Sequence, residues 1–166
     1  MLDYLGIIRE LTRHKIEFIV VGGVAVNLHG VPRMTYDIDL LVKMDDRPLR
    51  GLLELLKLWG FRPSVPVDIM DFADREKRED WIKNKNMKAF SLKNPEWALS
   101  EIAIIVNSPV SYESERPGIK RVRIGNVTVP LISIDALIKM KKNTGRAQDE
   151  ADIKHLKMIK NEKKKT

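Results

Sequence analysis

Hydrophobic and polar residues alternate along this chain with two different periods. Between Leu2 and His14 apolar residues recur every three positions among charges, which is the spacing of an amphipathic helix. Elsewhere, short apolar runs end at glycine, proline or asparagine, as buried strands do. The patterns predict helices at residues 2–14, 24–28, 49–59, 133–142 and 146–160, strands at 16–21, 33–42, 87–92 and 99–106, and a hairpin within 122–131.

Two segments fit more than one structure. Prolines at positions 63 and 66 interrupt residues 61–70, so no regular element is predicted there. Residues 71–85 are dense in charge and fit either a helix or a lid over a site.

The strand predicted over residues 33–42 separates polar from apolar side chains, because successive residues of a strand point to opposite faces. One face carries the polar set Arg33, Thr35, Asp37 and Asp39, and the other carries the apolar set Met34, Tyr36, Ile38 and Leu40. Two carboxylates one residue apart on a face lie about 6–7 Å apart at the backbone, so their oxygens can converge on a hard cation such as Mg²⁺. We expect a metal site on the polar face and core packing on the apolar face.

A glycine pair lies between the strand that ends at Val21 and the short helix at 24–28. Gly22 and Gly23 leave no side chain in the way of a bulky anion, and the free backbone N–H groups of the first helical turn can point at it. The turn is therefore predicted to cradle a phosphate. Together with the carboxylate pair it indicates a site for a metal and a triphosphate.

Composition favours a cytoplasmic protein of one domain, residues 1–166. The chain has no cysteine, so disulfides and thiolate metal sites are excluded, and no apolar stretch is long enough to span a membrane. Its 30 Lys plus Arg against 23 Asp plus Glu give a net charge of +7, which favours an anionic partner such as a nucleotide. We expect a core over about residues 1–132, a C-terminal helix pair over about 133–162 and a solvated basic tail to 166.

In this order, these residues resemble the nucleotidyltransferase superfamily that includes DNA polymerase beta, especially its small stand-alone members. The pattern is a glycine pair, a short helix and Asp-x-Asp on the next strand, here Gly22-Gly23 and Asp37-Ile38-Asp39. The small members also show the strings Gly-Gly-x-Ala, His-Gly, Arg-x-Thr and Asp-Ile-Asp-Leu, and this chain has each of them in order. The resemblance implies an α/β (α+β) fold, a mixed sheet flanked by helices, with a helical C-terminal portion.

The superfamily carries a third carboxylate on a later central strand, and this implies a role for Glu101 within 99–106. The usual residue is Asp, so Glu101 departs from the pattern. Asp68 is its rival, although the prolines around it fit a loop. The helix pair that closes these small proteins is matched by Lys141, Arg146 and Asp149. The alternative is an ion pair between Arg146 and Asp149, which are three residues apart on a helix.

The resemblance implies a Mg²⁺-dependent enzyme that moves a nucleoside monophosphate from a nucleoside triphosphate, such as ATP, to an acceptor hydroxyl. The implied catalytic and metal-binding residues are Asp37, Asp39 and Glu101, holding two Mg²⁺ ions, and the implied nucleotide-binding residues are Gly22, Gly23, Arg33, Thr35, Lys141 and Arg146. The acceptor stays open between protein, RNA and a small molecule. The alternative is a catalytically weak nucleotide- or partner-binding protein on the same fold, such as one component of a toxin–antitoxin pair.

Overall fold

The computed structural model of the protein describes residues 4–97 and 101–166. The helices over these residues are α1 (Tyr4–Arg13), α2 (Gly22–Leu28), α3 (Asp46–Leu58), α4 (Arg75–Asn84), α5 (Tyr112–Glu115), α6 (Ile134–Lys141) and α7 (Ala147–Lys164). The strands are β1 (Phe18–Val21), β2 (Asp37–Val42), β3 (Arg62–Pro63), β4 (Ala89–Lys93), β5 (Glu101–Ile105), β6 (Lys120–Ile124) and β7 (Val127–Leu131). The first residues of the predicted helix 2–14 and of the predicted strand 99–106 lie outside the described residues.

Within these two ranges, seven strands form one mixed sheet in the order β3-β4-β5-β2-β1-β7-β6. β2 is parallel to β5 and β1 is parallel to β7, while the other neighbouring pairs are antiparallel. The α/β fold with a mixed sheet and a helical C-terminal portion is therefore confirmed. Across the same described residues, no helix is long and apolar enough to cross a membrane.

The hydrophobic core contains the central strands and one face of each packed helix. Ile38 and Leu40 of β2 are fully buried, and the leucine stripe of α3 packs in the same core cluster. Leu137 of α6 and Leu156 of α7 belong to this cluster as well, so the C-terminal helices are anchored to the sheet. Each such side chain contributes about 1.5–3 kcal/mol when it is removed from water.

The strand predicted over residues 33–42 is shorter in the structure, where β2 begins only at Asp37. Met34 is 79% and Tyr36 is 60% exposed, so the expectation that both face the core is wrong. The cause is the connection before the strand. The backbone N–H of Arg33 donates to Asn27 Oδ1 at 2.9 Å, and the Arg33 side chain pairs with Asp152 on α7, which holds these residues away from the sheet.

Of the two segments that the sequence left open, residues 61–70 contain the short strand β3 and no helix before residue 69, whereas residues 71–85 are mostly helical. A 3₁₀ turn at Ile69–Ala73 precedes α4, and Trp81 and Arg78 of α4 are buried. Arg78 Nη1 donates to the carbonyl of Phe72 at 2.7 Å, which fixes the helix against the turn. These contacts favour a packed helix over a lid. α7 continues to Lys164, so most of the lysine tail is helical.

Candidate active site

Three carboxylates lie on one face of the sheet where the parallel strands β2 and β5 begin. Asp37 is the register partner of Glu101, and Asp39 is the partner of Ala103. Partners on neighbouring strands are about 4.8 Å apart and point to the same face. Glu101 therefore lies beside Asp37, and the small Ala103 leaves space beside Asp39.

Gly22 lies directly against the carboxylate of Asp39. A Cβ atom on Gly22 would be 1.9 Å from Asp39 Oδ2 and 2.8 Å from Asp39 Cβ, and the backbone of Gly22 has φ +66°. Both facts require glycine at this position. The junction between β1 and α2 and the second carboxylate of the Asp-x-Asp pair thus form one contact.

The sequence suggested open space beside Gly23, but in the structure two side chains occupy that space. Its Cβ direction points at Thr35 Oγ1, at 2.8 Å, and toward Arg33 Cζ, at 3.4 Å. The missing side chain makes room for these two residues. The first turn of α2 carries no side-chain cap, so the backbone N–H groups there are not used by a capping side chain.

The carboxylates of the site repel one another. Burial, followed by the charge of Asp37, raises the pKa of Asp39 to about 6, and the charge of Lys141 opposes this rise. Partial burial and then the Glu101 carboxylate raise the pKa of Asp37. Lys93 Nζ lies 4.0 Å from Glu101 Oε2 and relieves part of the negative charge. A cation placed between these groups would be stabilised by the same charges.

A cleft of about 640 Å³ opens above this face. Gly22, Asp39 and Glu101 line one side, and the α6–α7 segment lines the other side. Cationic side chains also line it, and three of them form no ion pair within the described ranges: Lys88, Lys142 and Arg146. The cleft is therefore lined both by carboxylates and by cationic side chains that form no close ion pair with another described residue.

A buried ion cluster closes the cleft on the side of the C-terminal helices. Lys141 Nζ donates to Asp149 Oδ1 at 2.9 Å and lies 3.0 Å from Asp152 Oδ2. Arg33 Nη1 binds the same oxygen of Asp152. The pair between Arg146 and Asp149 that the sequence allowed is not found in the structure. The Asp149 carboxylate is bound instead by Lys141 and Thr144.

Asp68, the rival for the third carboxylate, lies elsewhere. Its carboxylate accepts the backbone N–H of Met70 at 2.8 Å and caps the 3₁₀ turn. It lines a separate hollow near Lys57 and Phe61 rather than the cleft. Of the two candidates, only Glu101 is brought to the Asp-x-Asp pair.

The donor set fits Mg²⁺ together with a triphosphate. Among the residues that the structure describes, no three His, Asp or Glu side chains form a ready metal cage. Mg²⁺ is commonly held by only one or two carboxylates, with substrate phosphates and water completing its six ligands. Asp37 and Asp39 supply such a pair beside a cleft with room for the phosphates.

Asp152 is a buried residue at the site that the sequence reasoning missed. A signal for it exists, because Asp149 and Asp152 fall at the i and i+3 positions of the same inward stripe of α7 as Leu156 and Ile159. A carboxylate on the apolar stripe of a helix is rarely buried without a partner.

The fold and the site together define a nucleotidyltransferase-like protein. The chain belongs to the family described as nucleotidyltransferase of unknown function (DUF6036), which matches residues 5–162. Nucleotidyl transfer is thus the class of chemistry that the family defines. No curated protein matches the chain in sequence.

Among the solved structures that share the fold, two are compared with this chain. One is the lincosamide antibiotic adenylyltransferase LnuA with lincomycin bound: it is 20% identical, with a TM-score of 0.60, over 92% of this chain and 93% of that chain. The other is an antigenic nucleotidyltransferase-like protein from Paracoccidioides brasiliensis: it is 20% identical, with a TM-score of 0.53, over 93% of this chain and 72% of that chain. At these identities the likeness concerns the fold.

Proposed function

We propose that the protein transfers a nucleoside monophosphate from a nucleoside triphosphate to an acceptor hydroxyl, with Mg²⁺ bound at Asp37 and Asp39. The observation that carries this proposal is the register of β2 with β5, which sets Glu101 beside Asp37 on the face that carries Asp39. A face with three carboxylates is electrostatically costly unless cations bind there. The cleft above it has the walls that an anionic substrate needs.

Each residue of the site has a proposed role that follows from its position. Asp37 and Asp39 would hold Mg²⁺, which would bind the phosphates, and Glu101 is the third carboxylate, as a further ligand or as the base for the acceptor proton. Gly22 lets the backbone approach the phosphates while its contact fixes the Asp39 carboxylate. Bound Mg²⁺ would neutralise charge on the attacking and leaving oxygens of an in-line displacement. Lys141 and the unpaired cations of the cleft wall bind the phosphate oxygens.

The test is transfer of label from α-phosphate-labelled ATP, GTP, CTP and UTP with Mg²⁺. The acceptors are a protein mixture, tRNA, small alcohols and a lincosamide, because the fold is shared with an enzyme that adenylylates such a compound. Wild type is compared with Asp39→Asn and with the control Asp45→Asn. Asp45 lies just after β2, is 67% exposed and makes no capping hydrogen bond.

The proposal requires labelled product with wild type and with Asp45→Asn, and a fall of at least about 10²-fold with Asp39→Asn. If wild type labels no acceptor, and Asp39→Asn still binds nucleotide or partner as wild type does, the enzyme proposal is refuted. The binding protein, such as a toxin–antitoxin component, then takes its place.

A further inference from the structure

We infer that Asp152 of α7 is a positioning residue for nucleotide binding, which acts by holding Lys141 and Arg33 in place with one buried carboxylate. The inference rests on the proposed function. It concerns a side chain that is only 1% exposed and lies outside the Asp-x-Asp pair and the glycine turn.

The carboxylate of Asp152 is fully engaged. Oδ2 receives Arg33 Nη1 and lies 3.0 Å from Lys141 Nζ, and Oδ1 accepts Gln148 Nε2 at 2.9 Å. One oxygen thus joins two cations that are far apart in sequence. The first belongs to the connection before β2, and the second lies at the end of α6 in the cleft wall.

Both cations lie beside elements of the proposed nucleotide site. The Arg33 guanidinium passes beside the first turn of α2, with Cζ 3.4 Å from the position of a Cβ on Gly23. Lys141 lines the same cleft as Asp39 and Gly22. A lysine ammonium has three N–H donors. Asp149 and Asp152 take two of them, which leaves one for a phosphate in the cleft.

Stability alone does not explain the buried ion cluster of Asp152, Lys141 and Arg33. Burying an ion cluster removes its members from water, and an apolar cluster of the same volume is often at least as stable. A surface pair between Lys160 and Asp135 also connects α7 with α6, without burial of the carboxylate. What Asp152 adds is orientation: its carboxylate binds the side chains of both Arg33 and Lys141, and neither would be held in this position without it.

The experiment measures the dissociation constants of the four Mg²⁺–nucleoside triphosphates by calorimetry on the full chain. Asp152→Asn removes the charge with the same shape, and Asp152→Glu keeps the charge but moves it by one methylene. Asp135→Asn is the matched control, because Asp135 is an aspartate that pairs with a lysine across α6 and α7 but is 70% exposed. Circular dichroism and thermal melting establish the folded fraction of each variant.

A positioning role predicts that Asp152→Asn raises the dissociation constant of the tightest nucleotide at least tenfold, that Asp152→Glu raises it less, and that Asp135→Asn changes it less than twofold. It also predicts that the effect of Asp152→Asn shrinks in a Lys141→Met background, because the two residues act through one contact. A purely structural role lowers the melting temperature and leaves the affinity of the folded fraction unchanged.

A folded Asp152→Asn protein that binds nucleotide as tightly as wild type overturns the inference. If Asp152→Asn does not fold, Asp152→Glu decides, and wild-type affinity in that variant overturns the inference equally. If wild type itself binds none of the four nucleotides with Mg²⁺, the proposed function is what has failed, so the two failures are distinguishable.

Discussion

The contact between Gly22 and Asp39 makes one substitution especially informative. In Gly22→Ala, the new Cβ would stand 1.9 Å from Asp39 Oδ2 and 2.8 Å from Asp39 Cβ. Rotation of the Asp39 carboxylate cannot remove the overlap between the new Cβ and the Cβ of Asp39, so the whole Asp39 side chain must move. Since Cβ atoms essentially never approach another atom closer than 3.0 Å, the shift is about 1 Å or more at the carboxylate.

Two effects contribute to the expected size of the loss. The backbone of Gly22, at φ +66°, costs a residue with a Cβ about 1–2 kcal/mol. Overpacking against Asp39 adds about 1–3 kcal/mol. Independently of stability, a displacement of about 1 Å in a catalytic group costs about 10²-fold in rate.

Gly125→Ala separates the two effects. Gly125 also has a positive φ, of +59°, but no atom lies within 4 Å of its missing Cβ, and it sits in the turn between β6 and β7. We expect Gly125→Ala to lose only the backbone contribution of about 1–2 kcal/mol and to keep transfer activity. We expect Gly22→Ala to lose more stability and, where it is folded, at least about 10²-fold in activity.

Urea unfolding gives the free energy of unfolding of both variants, and the transfer assay gives their rates at a temperature where both are folded. If Gly22→Ala is no less stable than Gly125→Ala and retains wild-type activity, the close contact with Asp39 does not exist in the working protein. The reasoning about the glycine turn would then be wrong.

Three further predictions concern the carboxylates. Mg²⁺ with a nucleoside triphosphate at about 100 times its dissociation constant should stabilise the protein by about 2.7 kcal/mol, and thermal melts that show no shift contradict the site. Burial and then the charge of Asp37 raise the pKa of Asp39 from 3.8 to about 6, so between these pH values the folded state holds a proton that the unfolded chain has lost. The free energy of unfolding of the metal-free protein should therefore fall by about 3 kcal/mol as pH rises from about 4 to about 6. Asp39→Asn should reduce this slope and be more stable than wild type at pH 7.5 in EDTA; a less stable variant in urea unfolding would refute the repulsion. Glu101→Gln should lower transfer by more than about tenfold while Asp68→Asn leaves it unchanged, and equal effects in the transfer assay would count against Glu101.

The sequence predicted the parts of the fold that depend on local pattern. The leucine stripe of α3 and the apolar run of β1 are buried as their spacing indicates. The same reasoning failed for residues 33–36, where alternation predicts a strand but Arg33 is bound to Asp152, 119 residues later in the chain. A partner so distant in sequence leaves no trace in a local period, so the exposure of Met34 and Tyr36 could not be anticipated.

The candidate site shows the same limit. The Asp-x-Asp pair and the glycine pair are short motifs, and the structure brings Gly22 and Asp39 into contact. The position of Glu101 beside Asp37 depends on the parallel register of two strands that are separated by some sixty residues, which side-chain alternation does not specify. The order of strands along the chain allowed Asp68 as well, and only the folded sheet separates the two.

The most direct test of the central claim is a crystal structure of the protein with Mg²⁺ and a non-hydrolysable nucleoside triphosphate, chosen as the tightest binder by calorimetry. The account predicts Mg²⁺ about 2.0–2.1 Å from carboxylate oxygens of Asp37 and Asp39, with the triphosphate in the cleft between Gly22 and Lys141. A nucleotide bound elsewhere, or bound in the cleft with no metal at the two aspartates, would contradict it.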